Sequence, residues 1–264
     1  MSDYQSHWGL VDPPFLLSEK GQLYLAASRQ MLLCRFADYL SDPAPIATLS
    51  APRQSGLSCM LDYLSNMRGF GNHAVQMILS DADGVSSETV LKSLLASLDL
   101  STDQGFQQAL VSISEEVSAN KQIGLRTVWV LDRPALSMVS TVAHVSSFCD
   151  GLSVLVAGDF KNQSQWQSID EDSSVASGSA LRLGEISCVE AFEFLQISIR
   201  EVGGADDIFS ASAVRRIHQY AGGRLGLMID LAEQSLRCAA DSRQLRVTED
   251  HVNSIFTRPL RHAG

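Results

Sequence analysis

Apolar residues along this chain change their period twice, and the changes predict its organisation. From Ser28 to Leu40, the residues Met31, Leu32, Phe36 and Leu40 recur at helical spacing. Ser28 is a capping residue, and Pro43 and Pro45 stop the predicted helix. Short apolar runs then alternate with helical stretches. Ile46–Leu49, Ala74–Leu79, Thr127–Leu131 and Leu152–Ala157 read as strands. Helices are expected over Gly56–Leu64, Val85–Leu98 and Phe106–Ala119, and within Pro134–Phe148. Thr127–Leu131 is β-branched and apolar without interruption, as a strand buried on both faces should be. Alternation of this kind predicts an α/β fold with a parallel sheet covered on both faces.

From Ser187 onward strand character fades. Val189–Val202, Ser210–Tyr220, Leu225–Ala239 and Thr248–Phe256 are successive predicted helices, a composition shift that marks a second, all-helical domain. At the other end, His7–Phe15 contains Pro13 and Pro14 and cannot be helical throughout, so it reads as an extended arm carrying aromatics. Residues Asn162–Ser179 are rich in Ser, Asp and Gln and read as a surface loop. The expected organisation is an extended arm over 1–27, an α/β domain over 28–186 and a helical domain over 187–264. No internal repeat is visible.

Composition sharpens this picture in three respects. Hydrophobic residues at 45% and charged residues at 19% match a globular chain with a sizeable core and argue against disorder. A net charge of −10 counts against a protein that wraps nucleic acid, whose affinity comes from neutralising phosphates. Arg215, Arg216, Arg224, Arg237, Arg243 and Arg246 concentrate positive charge near the C-terminus, as a solvated helix surface or as a contact for an acidic partner or DNA. Finally, Cys34, Cys59, Cys149, Cys188 and Cys238 are scattered without CxxC spacing, which fits reduced thiols better than a zinc site or a disulfide framework. With no basic-then-apolar leader and no apolar run of roughly 18 residues, a soluble, cytoplasmic protein is expected.

The chemistry centres on the turn after the first strand. A phosphate-binding P-loop requires a strand, a glycine-rich turn and a helix start, in the pattern GxxxxGK(S/T). Here Ile46–Leu49 leads into Ala51-Pro52-Arg53-Gln54-Ser55-Gly56-Leu57-Ser58, with Cys59 following. Gly56 and Ser58 match the pattern, but Ala51 stands at the first glycine and Leu57 at the lysine. That lysine makes charge-assisted hydrogen bonds of roughly 1.5–3 kcal/mol each. Losing two removes on the order of two to four decades of phosphate affinity. Backbone N–H groups and a helix N-terminus retain weak anion affinity, and Arg53 offers a substitute charge from a different backbone position. Ser58 is the candidate magnesium hydroxyl, or else an ordinary first-turn serine.

Asp132 ends the apolar run Val128-Trp129-Val130-Leu131. In P-loop proteins such an aspartate orients magnesium and a following glutamate often activates water. The alternative is an aspartate capping a turn. Arg133 follows here, and an arginine stays protonated and cannot act as a base. Asp159, after Ala157-Gly158, is a candidate γ-phosphate sensor or a turn residue. Arg182 is a candidate trans-acting arginine or a plain surface residue.

Taken together these residues resemble the AAA+ ATPases of the general-secretion-pathway A-protein type and, more distantly, the ATPase subunits of transposition systems. His7-Trp8-Gly9-Leu10 through Pro13-Pro14-Phe15, with Leu23-Tyr24-Leu25, looks like that family's opening pattern, and Ser28-Arg29-Gln30 sits where its first helix begins. Ile208-Phe209-Ser210 through Ala213, Gly222-Gly223 and Asp230-Leu231-Ala232 look like its helical lid. The resemblance implies a P-loop NTPase αβα sandwich with a small helical lid, ATP bound between them, and oligomerisation that completes the site. Departures lie at Ala51, Gln54, Leu57 and Arg133, and at Gly226, which stands where the lid's phosphate-sensing arginine belongs; Arg224 lies two positions early.

Three functions remain open. The first is a catalytically degenerate ATPase used as a protein-interaction or regulatory module, alongside an active AAA+ paralogue or through self-association. The second is a switch that binds ATP or ADP with magnesium at reduced affinity without efficient hydrolysis. The third is an active enzyme with Arg53 in the lysine's role. A nucleic-acid-loading role rests on fold analogy alone, and no cofactor is certain.

Overall fold

The computed structural model describes residues 4–15, 26–41, 46–160 and 180–257. The expected loop Asn162–Ser179, the Leu23–Leu25 stretch and the stop signals Pro43 and Pro45 lie outside the described residues. Contacts divide the chain into two units, one of Arg29–Pro52 with Leu57–Leu183, the other of Met1–Ser28, Arg53–Gly56 and Gly184–Gly264.

The first unit is built on a six-stranded sheet. Its strands are β1 (Ile46–Ser50), β2 (Gly69–Phe70), β3 (His73–Asp81), β4 (Leu125–Asp132), β5 (Leu152–Gly158) and β6 (Ala180–Arg182), in the spatial order β2-β3-β4-β5-β1-β6. All pairings are parallel except β2 with β3, a hairpin closed by Gly71 at a φ of 57°. Helix α2 (Ala27–Ser41) precedes β1, and the helices between strands are α3 (Leu57–Asn66), α4 (Ser87–Ser97), α5 (Phe106–Gln122) and α6 (Val139–Phe148), the last preceded by a single 3-10 turn at Leu136–Met138. The predicted strands and helices appear within a few residues of their expected ends. Too short to show a period, β2 and β6 were not anticipated.

Strand parity explains the two cores of this unit. Leu94, Leu110 and Val145 from α4, α5 and α6 share one apolar cluster with Ile78, Trp129, Leu131, Val154 and Val156. Val128, Val130 and Leu155 alternate with these strand positions and are equally buried, so they face the other side of the sheet. That side is taken by α3, which contacts β3 and β4 and buries Met60, Leu61 and Leu64. At its centre Trp129 is 1% exposed, and its indole N–H donates to Ser80 Oγ at 3.1 Å. A buried indole needs such an acceptor, and Ser80 on β3 supplies it. Asn120 joins α5 to the same strands by donating to Gln76 Oε1 (2.9 Å) and Thr127 Oγ1 (3.2 Å).

The second unit contains α1 (Tyr4–Trp8), α7 (Cys188–Glu201), α8 (Ala211–Ala221), α9 (Leu225–Asp241) and α10 (Glu249–Thr257). Within the expected extended arm, Tyr4–Trp8 is instead helical. Gly9, at a φ of 67°, ends that helix before the two prolines are reached, so they do not oppose it. Tyr4, Trp8, Leu10 and Phe15 join the core of α7–α9, and the Trp8 indole N–H donates to the Leu236 carbonyl at 3.1 Å. A capping box opens α7: Ser187 Oγ accepts from Glu190 N–H, while Glu190 Oε2 accepts from Ser187 N–H at 2.6 Å. Glu190 Oε1 also accepts from Ser28 N–H at 2.9 Å. At the end of α8, Gly222 adopts the left-handed cap and Gly223 follows at a φ of 71°. The space beside Gly223 is closed, because a Cβ there would lie 2.7 Å from the Ile186 carbonyl oxygen.

Candidate functional site

The parallel strands end together. Register places Asp81 beside Asp132, Asp132 beside Ala157, and Ala157 beside Leu49, so the candidate chemistry of β1, β3, β4 and β5 gathers at one edge of the sheet. In open α/β sheets this carboxyl edge is where ligands bind. Two hydrogen bonds pin the end of β1 there: Ala51 N–H donates to Gly158 O and Leu183 N–H to Ser50 O, each at 2.9 Å.

The strand–turn–helix order expected around Gly56 is present: β1 ends at Ser50 and α3 starts at Leu57. Two residues of the turn take left-handed φ, Gln54 at 62° and Gly56 at 88°. Glycine does so freely, whereas glutamine bears a cost of roughly 1–2 kcal/mol. Ala51 and Ser55 are buried, Pro52, Gly56, Leu57 and Cys59 are half-buried, and Arg53, Gln54 and Ser58 are exposed. Ser58 thus lies on the first turn of α3, two strands from Asp132 in the order β4-β5-β1, a separation of about 10 Å between strand axes.

Asp132 is 8% exposed. Burial pushes its carboxyl above the ordinary aspartate range, the charge and hydrogen bond of Arg133 pull it back, and Asp81 and Asp83 push it further up. Arg133 takes a φ of 51°, a conformation held by its N–H, which donates to Ala157 O at 2.7 Å. Its guanidinium bridges two acids, with Nε 3.3 Å from Asp132 Oδ1 and Nη1 3.2 Å from Asp83 Oδ2. Asp83 N–H in turn donates to Asp81 Oδ1 at 3.1 Å. Neither Asp81 nor Asp83 was singled out from the sequence. Their signal was the run Asp81-Ala82-Asp83-Gly84 closing an apolar strand. Asp159 and Arg182 are both exposed, Arg182 in register with Ser50. Among the described residues no group of three or more His, Cys, Asp or Glu is arranged to hold a metal ion.

The tip of the turn, Arg53–Gly56, belongs by its contacts to the unit of α7–α10. There Gly226, the second residue of α9, donates its N–H to the Gln54 carbonyl at 2.7 Å. A Cβ at position 226 would lie 3.0 Å from that oxygen and 3.2 Å from Gln54 Cβ. The neighbouring Arg224 is engaged elsewhere, its Nε–H donating to Ala221 O at 3.0 Å at the end of α8.

No protein-family model matches the chain, and no curated protein matches it. Solved structures do. Cdc6p from Pyrobaculum aerophilum aligns at 15% identity with a TM-score of 0.62, over 90% of this chain and 68% of that one. The Aeropyrum pernix ORC1 protein, solved in complex with DNA, aligns at 15% identity and 0.62 over 91% of this chain and 67% of that one. The RuvB Holliday junction branch migration motor of Thermotoga maritima aligns at 10% and 0.52, over 87% and 67%. At such identities the likeness carries the fold, and the chain spans about two thirds of each of these proteins.

Proposed function

We propose that this chain, which has the AAA+ P-loop NTPase fold with a C-terminal helical region, uses that fold as a protein-interaction or regulatory module and not as a nucleotide-hydrolysing motor. The observation that carries this reading is Arg133. Its guanidinium stands between Asp132 and Asp83, so the carboxylate that would orient magnesium already has a cation 3.3 Å away. The residues do not fit a magnesium triphosphate. A divalent ion at Asp132 would lie against a guanidinium, and the position of the phosphate-gripping lysine is the half-buried hydrocarbon of Leu57. Arginine in place of glutamate also supplies no base to activate water.

The partner class that suits this reading is another AAA+ subunit, a second copy of this chain or an active relative, since the fold's catalytic sites are completed between subunits. The Aeropyrum pernix ORC1 protein was solved with DNA; for this chain a net charge of −10 disfavours nucleic acid as the main partner. Phosphate release by purified protein tests the proposal. Release at background level supports it, and turnover of about 1 per second or more that Asp132→Ala abolishes overturns it.

A second reading has its own support: Gly56, Ser58 and Asp132 persist where a nucleotide switch needs them. Titration with magnesium-ATP separates the two. A ligand at 100 times its dissociation constant stabilises a fold by about 2.7 kcal/mol. A rise in melting temperature at millimolar nucleotide therefore favours the switch, and none favours the scaffold.

A further inference from the structure

The backbone contact between Gln54 and Gly226 is not required by either element alone. A carbonyl in a surface turn can bond water instead of protein, and a helix can leave its early N–H groups to solvent. Here the two satisfy each other at 2.7 Å. The approach is close enough that a Cβ at 226 would press on both the oxygen and the Cβ of Gln54, at 3.0 and 3.2 Å. Gln54 moreover keeps a left-handed φ of 62°, which a glutamine adopts only when something holds it there.

We propose that Gln54 and Gly226 form a clasp that ties residues 53–56 to the first turn of α9, and that Gly226 is the residue that lets the clasp close. Because the C=O and N–H of a trans peptide point opposite ways, holding the Gln54 carbonyl on α9 also sets the direction of the Ser55 N–H. The turn therefore follows α9. A partner that displaces the first turn of that helix unlatches residues 53–56, and a partner that braces it keeps them shut. This inference goes beyond the proposed scaffold role and holds whether or not a nucleotide binds.

Arg53 is exposed and gives trypsin a cleavage point inside the clasp. Limited trypsinolysis of the full chain, read by mass spectrometry at the Arg53–Gln54 bond, is the test. Gly226→Ala is expected to speed cleavage at that bond about tenfold, the equivalent of one net hydrogen bond, while cleavage after Arg126, within β4 of the other unit, stays unchanged. Gln54→Gly keeps the carbonyl and relieves the left-handed strain, so it should resist cleavage as well as wild type does. Equal cleavage in Gly226→Ala and wild type overturns the clasp. Should Gly226→Ala not fold, hydrogen exchange at the Gly226 amide of the wild type decides: protection of about tenfold or more is expected, and exchange at the unprotected rate refutes it. No nucleotide enters this experiment, so its failure leaves the scaffold reading to the phosphate-release assay, and turnover in that assay leaves the clasp standing.

Discussion

Replacing Arg133 by glutamine keeps a polar group at the position of Nε, drops the Nη atoms that reach Asp83, and removes the charge that Asp132 faces. Two ion pairs are lost, and they differ in value. Arg133 and Asp83 are 50% and 59% exposed as side chains, so solvent screening leaves that pair about 1 kcal/mol at most. The Asp132 side chain is only 11% exposed. A hydrogen bond between ionised groups with one partner so enclosed contributes about 1.5–3 kcal/mol, and the 3.3 Å length argues for the lower half. The expected loss for Arg133→Gln near pH 7.5 is thus roughly 1.5–3 kcal/mol, read as a lower urea midpoint at unchanged slope. The pH dependence identifies the cause. Asp132 has a folded pKa above its unfolded one, so its ionisation counts against the folded state. That cost is absent below the unfolded pKa and is complete above the folded one. Without Arg133 the folded pKa climbs further, so the gap between variant and wild type should be small, below about 1 kcal/mol, near pH 4 and should widen toward pH 7.5. In an Asp132→Asn background the same replacement should cost no more than about 1 kcal/mol at either pH. A loss of equal size at both pH values, or one undiminished in the Asp132→Asn background, would refute the assignment of Arg133 as the counter-ion of this edge.

Two further expectations concern the helical unit. Gly223→Ala should destabilise by about 3 kcal/mol or more, because it combines a left-handed φ with a Cβ 2.7 Å from the Ile186 oxygen. Gly222→Ala, left-handed with open space beside it, should cost only about 1 kcal/mol, so thermal melts of the pair separate crowding from backbone preference. Glu190→Gln should weaken the start of α7. Burial raises the Glu190 carboxyl, but the hydrogen bonds from Ser187 and Ser28 outweigh it and hold the pKa below the ordinary glutamate value. This contribution is present above the unfolded pKa and is lost as pH falls through the folded one. The melting temperatures of variant and wild type should therefore converge below about pH 4, and a constant gap down to pH 3 would contradict the assignment.

Periodicity and order along the chain carried most of the architecture. A run such as Thr127–Leu131 declares a buried strand, and spaced apolar residues such as Met31, Leu32 and Phe36 declare a helix, because side-chain burial repeats with the local backbone geometry. The sequence also showed which residues stand at Leu57, Ser58, Asp132 and Arg133, since a strand–turn–helix motif is contiguous. It misjudged Tyr4–Trp8, a five-residue helix too short to show a period, whose stability comes from Trp8 and Tyr4 packing on α9. What it could not contain are the pairings between distant segments. Asp83 reaches Arg133 only because β3 and β4 align Asp81 with Asp132, and Gln54 meets Gly226 only because the turn's tip packs with α9. Local propensity is written in neighbouring residues; register and helix docking are settled by the summed packing of the whole core, and only the tertiary structure decides which charge and which carbonyl find a partner.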